Sequence, residues 1–225
     1  CLFCPASKVV IVTGAGISTN AGIPLSLIIR YDFRSKDGNY FRRGRSIFRS
    51  SALINPGDRS RFYKEITQIR QMFKKANPTE THRFIKRLRD TGRLVQNYTQ
   101  NIDCLEEKVG LSTGLQKEPT SLSGDTKGVD CVLLHGSLLF LRCFLCLKRH
   151  NRDEGKHEEE TLSGNEPPCP SCAKVSADRV RKGKRATAIG ILRTDIVLYE
   201  ESSPQADFIT NIIHSNIKSH MKISF

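Results

Sequence analysis

Two C-x-x-C pairs, Cys143 with Cys146 and Cys169 with Cys172, constrain this chain more than any other feature. Each pair places two thiolates on one side of a tight turn, which is half of a tetrahedral zinc shell. The stretch between Cys146 and Cys169 is slightly longer than the usual zinc-ribbon gap. Loop closure tolerates this, because its entropic cost grows slowly with length. Disulfides are the competing reading, and the absence of other secreted features weighs against them. One structural zinc ion, held by Cys143, Cys146, Cys169 and Cys172, is therefore expected.

With 225 residues the chain can bury one substantial core, or one core and a small satellite. No apolar run approaches the roughly 20 residues of a membrane span, and no membrane partner is expected. The start, Cys1-Leu2-Phe3-Cys4-Pro5, lacks a basic segment followed by a long apolar one. Eight cysteines without such a leader point to a reducing compartment. The first residue is not methionine, so a fragment or an incomplete gene model is expected. The net charge of +13 predicts attraction to polyanions such as DNA or chromatin. The charges cluster at Arg42, Arg43, Arg45 and Arg49, at Arg83, Lys86, Arg87, Arg89 and Arg93, and at Arg179, Arg181, Lys182, Lys184 and Arg185. The last run also suits nuclear localisation, with the cytoplasm as the other option.

Lys8-Val9-Val10-Ile11-Val12-Thr13 is a β-branched run that stops at Gly14-Ala15-Gly16, as a strand buried on both faces of a parallel sheet would. A helix is expected over 77–90, with Asn77 as N-cap, Pro78 at the first helical position and Glu80 closing a capping box. Phe84, Ile85 and Leu88 would share its buried face. Strands follow at Leu94-Val95-Gln96-Asn97-Tyr98-Thr99 and at Cys131-Val132-Leu133-Leu134. Strand, helix, strand at this spacing argues for an α/β fold with a Rossmann-like parallel sheet. Three parts are expected. Residues 1–141 form the Rossmann-like, nucleotide-binding part, with a helical segment near 37–77. An inserted zinc-ribbon module occupies 142–185. Residues 186–225 return to the Rossmann-like part, which is incomplete at the C-terminus.

Chemistry concentrates where strands end. Glycines at Gly14 and Gly16 let a backbone approach a pyrophosphate, and the next helix would offer its N-terminal amides. A lone G-x-G is equally a tight strand-to-helix turn. Thr99-Gln100-Asn101-Ile102-Asp103 places polar side chains at the end of the second strand, and His135-Gly136 ends the third. Histidine, asparagine and aspartate converging beside a glycine turn form a candidate active site.

These motifs resemble a known family. Thr13-Gly14-Ala15-Gly16-Ile17-Ser18, Ala21-Gly22-Ile23-Pro24, Asp32-Phe33-Arg34-Ser35, Thr99-Gln100-Asn101-Ile102-Asp103, His135-Gly136 and the paired C-x-x-C occur in the order found in sirtuins, NAD-dependent protein lysine deacylases. The segments at 78–82 and 190–199 are most similar to those of fungal nuclear sirtuins acting on histones. The resemblance implies a deacetylase that moves an acetyl group from lysine to ADP-ribose with release of nicotinamide. It implies NAD contacts from Gly14, Ala15, Gly16, Ser18, Phe33, Arg34, Gln100, Asn101, Ile102 and Asp103. His135 would be the general base, and Asn101 and Asp103 would serve the nicotinamide end. Val197 and Tyr199 would pair with the substrate backbone, and the zinc would be structural. Acetylated lysine proteins, histones foremost, are the implied partners.

The chain also departs from the family. Residues 25–31 intervene between Ile23-Pro24 and Asp32-Phe33-Arg34, which would push Phe33 and Arg34 out of register. Cys104 and Glu200 stand where sirtuins have glycine, and strain is expected if those turns need positive φ. The end at Phe225 omits later strands that contact adenosine in the family, so little or no NAD binding is expected from this chain as it stands. The alternative reading is a catalytically inactive, sirtuin-like zinc protein or fragment that binds chromatin through its basic surface. An NAD-linked dehydrogenase is disfavoured, since Thr19 replaces the third glycine of its fingerprint.

Overall fold

The β-branched run forms β1 (Val9–Thr13), which pairs in parallel with β2 (Leu94–Thr99); β2 in turn pairs in parallel with β3 (Cys131–Leu133). The computed structural model describes residues 8–23, 47–113 and 128–220. Phe33, Arg34, residues 25–31, Cys1 and Cys4 lie outside the described residues. Register aligns the carboxyl ends of the strands: Thr13 opposes Thr99, and Thr99 opposes Leu133. The segments leaving all three strands therefore emerge at one edge, where open α/β sheets bind ligands. β1 is not covered on both faces by the described residues. Val10 and Val12, 44% and 67% exposed, share one face, while Ile11 packs near Ile85, Leu111 and Cys131.

The helix α1 (Pro56–Lys75) starts with proline at its first position, carries Asp58 in its first turn and ends on Lys74 and Lys75. Those charges complement the helix dipole. Phe62, Tyr63, Ile66 and Ile69 recur at helical spacing and enter the main core with Leu105, Leu138, Ile196 and Leu198. The next helix, α2 (Glu80–Asp90), begins later than its sequence signals indicate. Thr79 is the N-cap, and the box is closed by His82, not by Glu80. The Thr79 N–H donates to His82 Nδ1 at 3.2 Å, while the Glu80 side chain turns outward to pair with Arg83. Capping from Thr79 puts His82, Ile85 and Leu88 on the buried face and leaves Phe84 49% exposed. A single turn, α3 (Leu105–Lys108), follows β2.

A second, antiparallel sheet places β4 (Gly136–Cys143) between β5 (Arg149–Asn151) and β6 (Leu192–Ile196). Residues 186–225 were expected to return to the Rossmann-like part, but their strand, β6, joins β4 and not the parallel sheet. Between β5 and β6 lie α4 (His157–Leu162) and α5 (Pro170–Arg181). Buried polar contacts fasten this region to α1. Arg70 Nε donates to Leu138 O at 2.9 Å, and its guanidinium pairs with Asp153 and Glu158. Arg152, fully buried, donates to the hydroxyls of Thr67, Thr161 and Thr194. The last helix, α6 (Ala206–His220), lays Ile209 and Ile212 on Tyr98 and Val132 of the parallel sheet. No helix of the described residues is long and apolar enough to cross a membrane.

Candidate functional site

After β1 the chain makes one 3-10 turn, Ala15–Ser18, closed by Ile17 N–H donating to Gly14 O at 3.1 Å. This is one short turn and not the longer helix whose amides the sequence led us to expect. Gly14 has φ −146°, extended backbone that any residue adopts. A Cβ there would stand 3.8 Å from Gln100 Oε1, and one on Gly16 would meet nothing within 4 Å. Among the described residues nothing crowds the turn at Gly16, which suits a dinucleotide backbone laid across it.

The segment after β2 is knitted to this turn. Gln100 N–H donates to Thr13 O, 3.0 Å, and the Gln100 side chain stays exposed. Asn101, buried, donates through Nδ2 to Gly14 O at 3.2 Å and to Ser18 Oγ at 3.3 Å. Ser18 Oγ donates to Asp103 Oδ2 at 2.6 Å, and Asp103 Oδ1 accepts from Leu105 N–H at 3.1 Å. Asp103 therefore joins the glycine turn to the start of α3. Ile102 packs against the main core. Cys104 adopts φ 62° and Glu200 φ 71°, so both departures from glycine fall in the left-handed region where a side chain is strained. Burial pushes the Cys104 thiol up to about 12, which makes it unreactive.

His135 is exposed at the same edge, with Nδ1 2.9 Å from Gln100 O. A carbonyl only accepts, so Nδ1 carries the ring hydrogen of the neutral imidazole, and Nε2 keeps a lone pair. Gly136 is obligatory here. It has φ +81°, and a Cβ would lie 2.2 Å from Asp195 O. That close approach lets Val197 N–H donate to His135 O at 3.0 Å. Tyr199 lies further along, 41% exposed, with its N–H donating to Phe48 O and its carbonyl accepting from Ser50 N–H. The structure thus brings together residues 14–18, Gln100, Asn101, Asp103 and His135. Val197 adjoins them through the His135 carbonyl.

Two buried groups under this edge escaped the sequence reading. His82 and Glu106 are both 0% exposed. Burial lowers the His82 pKa, against the pull of Asp103. Burial, helped by the charges of Asp103 and Glu107 and opposed by the Thr99 hydroxyl, raises Glu106 from 4.5 to about 7. The folded chain therefore keeps a proton that the unfolded chain releases between those values. The associated stability is fully present below 4.5 and is lost as pH rises through about 7. The loss amounts to roughly 3 kcal/mol. Glu106→Gln does not titrate. In urea unfolding, its stability relative to the parent should rise by roughly 3 kcal/mol from about pH 4 to about pH 8. A difference that stays constant across that interval would refute the buried, proton-holding carboxyl.

The four ribbon cysteines converge, with their Sγ atoms within 4.8 Å of one another. Cys143 to Cys172 and Cys146 to Cys169 are each 3.7 Å between sulfurs. A tetrahedron with Zn–S bonds of about 2.3 Å has edges of about 3.8 Å, so the residues fit zinc and not a disulfide. At Cys143, burial opposes ionisation, but N–H groups of Cys146 and Leu145 outweigh it and favour the thiolate. Cys169 Sγ also lies 3.4 Å from His150 Nε2. Four thiolates close the shell, so the metal's role is structural.

A parallel sheet with a glycine turn, a polar second-strand end, a histidine at the third and a four-cysteine zinc site defines an α/β nucleotide-binding class. The model of the Sir2 family matches residues 14–223, and the chain belongs to that family. It is 37% identical to the NAD-dependent histone deacetylase HST3 of Candida albicans, covering 95% of this chain and 45% of that protein. It is also 37% identical to the protein of the same name from Saccharomyces cerevisiae, over 93% of this chain and 48% of that one. It is 33% identical to the NAD-dependent protein deacetylase hst4 of Schizosaccharomyces pombe, over 95% and 50%. The chain spans about half the length of the curated relatives it matches. A solved Sir2 homologue–NAD complex matches with TM-score 0.60 and 24% identity, over 92% of this chain and 63% of that one, which shows the fold.

Proposed function

We propose that this chain is an NAD-dependent protein lysine deacetylase acting on histones. The observation that carries the reading is the His135 imidazole, exposed at the strand edge with Nδ1 donating to Gln100 O. That bond fixes the neutral tautomer whose Nε2 can accept a proton from a hydroxyl. Bound NAD supplies the ribose carbon and hydroxyl that take the acetyl group as nicotinamide departs. Residues 14–18 line the phosphate path, with Gly14, Ala15, Gly16 and Ser18 in contact. Gln100, Asn101, Ile102 and Asp103 border the ribose and nicotinamide end, where the amide and carboxylate orient the ring and exclude bulk water. Phe33 and Arg34 are further NAD contacts that the family resemblance implies, and Val197 and Tyr199 would flank the acetyl-lysine peptide.

The three-part division at 1–141, 142–185 and 186–225 belongs to this reading. So do nuclear localisation and contact with chromatin through basic clusters. Arg181, Lys182, Lys184 and Arg185 are exposed at and beyond the end of α5, where they suit phosphate contacts. The test is direct. The 225-residue chain, given NAD and an acetylated histone peptide, should release nicotinamide and deacetylated peptide in equal amounts. Binding of the peptide or of DNA without NAD consumption would favour the non-catalytic, chromatin-binding alternative.

A further inference from the structure

The antiparallel sheet carries a row of like charges that its own folding does not call for. Arg142 on β4 lies opposite Arg149 on β5 and opposite Arg193 on β6, so three arginines stand side by side on one face. Their chain neighbours Leu141 and Leu192 are fully buried on the other face. Like charges directly across a sheet are destabilising, so the row costs stability unless something neutralises it. Two carboxylates do part of this. Asp195 accepts from Arg142 Nε at 2.6 Å and from Arg142 Nη2 at 3.1 Å, and it also pairs with Arg149 Nε. Glu201 pairs with both terminal nitrogens of Arg193. Three cations against two anions leave one positive charge.

The row lines a cavity of about 100 Å³ that adjoins the candidate site. That is several times the roughly 10–15 Å³ needed to hold one water. Gly136, next to His135, and Val197, which donates to the His135 carbonyl, both line it. Phe144, Leu147 and Pro204 supply apolar walls, so a charge inside is screened less than at an open surface. The arginines are unequally occupied. Arg142 gives its remaining terminal nitrogen to Leu147 O at 3.1 Å, and Arg193 stacks 4.7 Å from the Phe144 ring centroid. Arg149 is held through Nε by Asp195 and lies 5.5 Å from the Phe140 ring centroid. Its two Nη groups meet no acceptor among the described residues. They form a positioned, unfilled fork, the geometry that takes a carboxylate with two parallel N–H···O bonds.

We infer that this cavity is a specificity subsite for one acidic side chain, aspartate or glutamate, of the acetylated protein substrate. The inference rests on the deacetylase reading, which lays the substrate chain along Val197. The single excess positive charge matches a carboxylate, whereas a phosphate carries about −1.5 to −2 at neutral pH. Arg149 grips the acidic group, and Arg142 and Arg193 set the field around it.

The test uses the 225-residue chain and fluorescent acetyl-lysine peptides in which one glutamate is moved through the positions flanking the acetyl-lysine. Anisotropy gives each dissociation constant against the matching glutamine peptide. Glutamate should tighten binding roughly three- to tenfold at one position or two adjacent ones, as for one hydrogen-bonded charge pair at a partly exposed site. The net charge of +13 acting alone would favour glutamate at every position, so a uniform gain, or none, overturns the inference. Arg149→Gln should erase the difference between the two peptides with zinc content unchanged, since Asp195 keeps both bonds from Arg142. Arg149→Lys keeps the charge but not the fork and should retain only part of the difference. It also decides the matter if Arg149→Gln fails to fold. A position-specific preference that survives both substitutions would refute the role of Arg149. Phosphoserine at the preferred position should bind no better than glutamate, and tighter binding would overturn the carboxylate assignment. Nicotinamide release is read on the same peptides with NAD. A chain that shows the preference but consumes no NAD would sink the deacetylase reading and leave the subsite standing.

Discussion

Removal of zinc is expected to unfold the region from Cys143 to Cys172 and to lower the stability of the whole chain. The hydrophobic cluster around the site consists of Leu141, Leu192 and the cysteines themselves, so little apolar burial would remain without the metal. Of the two helices there, α4 has 6 residues and α5 has 12, too short to persist alone in water. Cys169 N–H donates to Gly190 O and Leu192 N–H to Pro167 O, so loss of the knuckle also frees the approach to β6. Structural zinc in small peptide modules contributes on the order of 10–16 kcal/mol of apparent binding free energy, which is folding free energy for the segment. Metal analysis should find one zinc per chain. Chelation should cut helical circular dichroism and the melting temperature together, and Cys143→Ser should reproduce both effects. Two zinc ions per chain, or a chelator-resistant fold in a metal-free sample, would overturn the assignment.

The sequence made the three parallel strands legible, and not β4 or β5, because β-branched runs and their glycine or polar ends are local signals. β2 matches its expected span from Leu94 to Thr99, and the shared strand edge follows from the parallel register. The helix start was misplaced because Asn77-Pro78 reads as a strong cap, whereas the observed box uses an imidazole where glutamate or glutamine is usual. His82 and Glu106 went unread for a related reason. A histidine among basic residues, and a glutamate in Leu105-Glu106-Glu107, look like solvated helix faces. Only the packing of α2 and α3 beneath the glycine turn buries them. The pairing of β6 with β4 was equally invisible, since periodicity identifies a strand but not its neighbour. The positive φ at Cys104 and Glu200 could be anticipated, because the family resemblance marked both as glycine positions.

His135→Ala is expected to reduce deacetylation by about 10²–10⁴-fold, the usual contribution of a general base. The imidazole is exposed, and its Nδ1 bond goes to a backbone carbonyl on the neighbouring strand end. Its removal leaves no buried group unpaired, so melting temperature and zinc content should match the parent. Gly136 and the Val197-to-His135 backbone bond are untouched by the change, which keeps the adjoining segment in place. Asp103→Ala is a less clean probe. It strands the Ser18 hydroxyl and the Leu105 N–H without their acceptor, at a cost of about 1–3 kcal/mol each when buried. Asp103→Ala should therefore lower stability as well as turnover, and Asn101→Ala should do the same more mildly. The comparison isolates the chemistry. Nicotinamide release is measured with acetylated peptide for the parent and for each folded, zinc-loaded variant. Near-parental turnover by a folded, zinc-loaded His135→Ala chain would remove His135 from the reaction and, with it, the proton-transfer step proposed for this edge of the sheet.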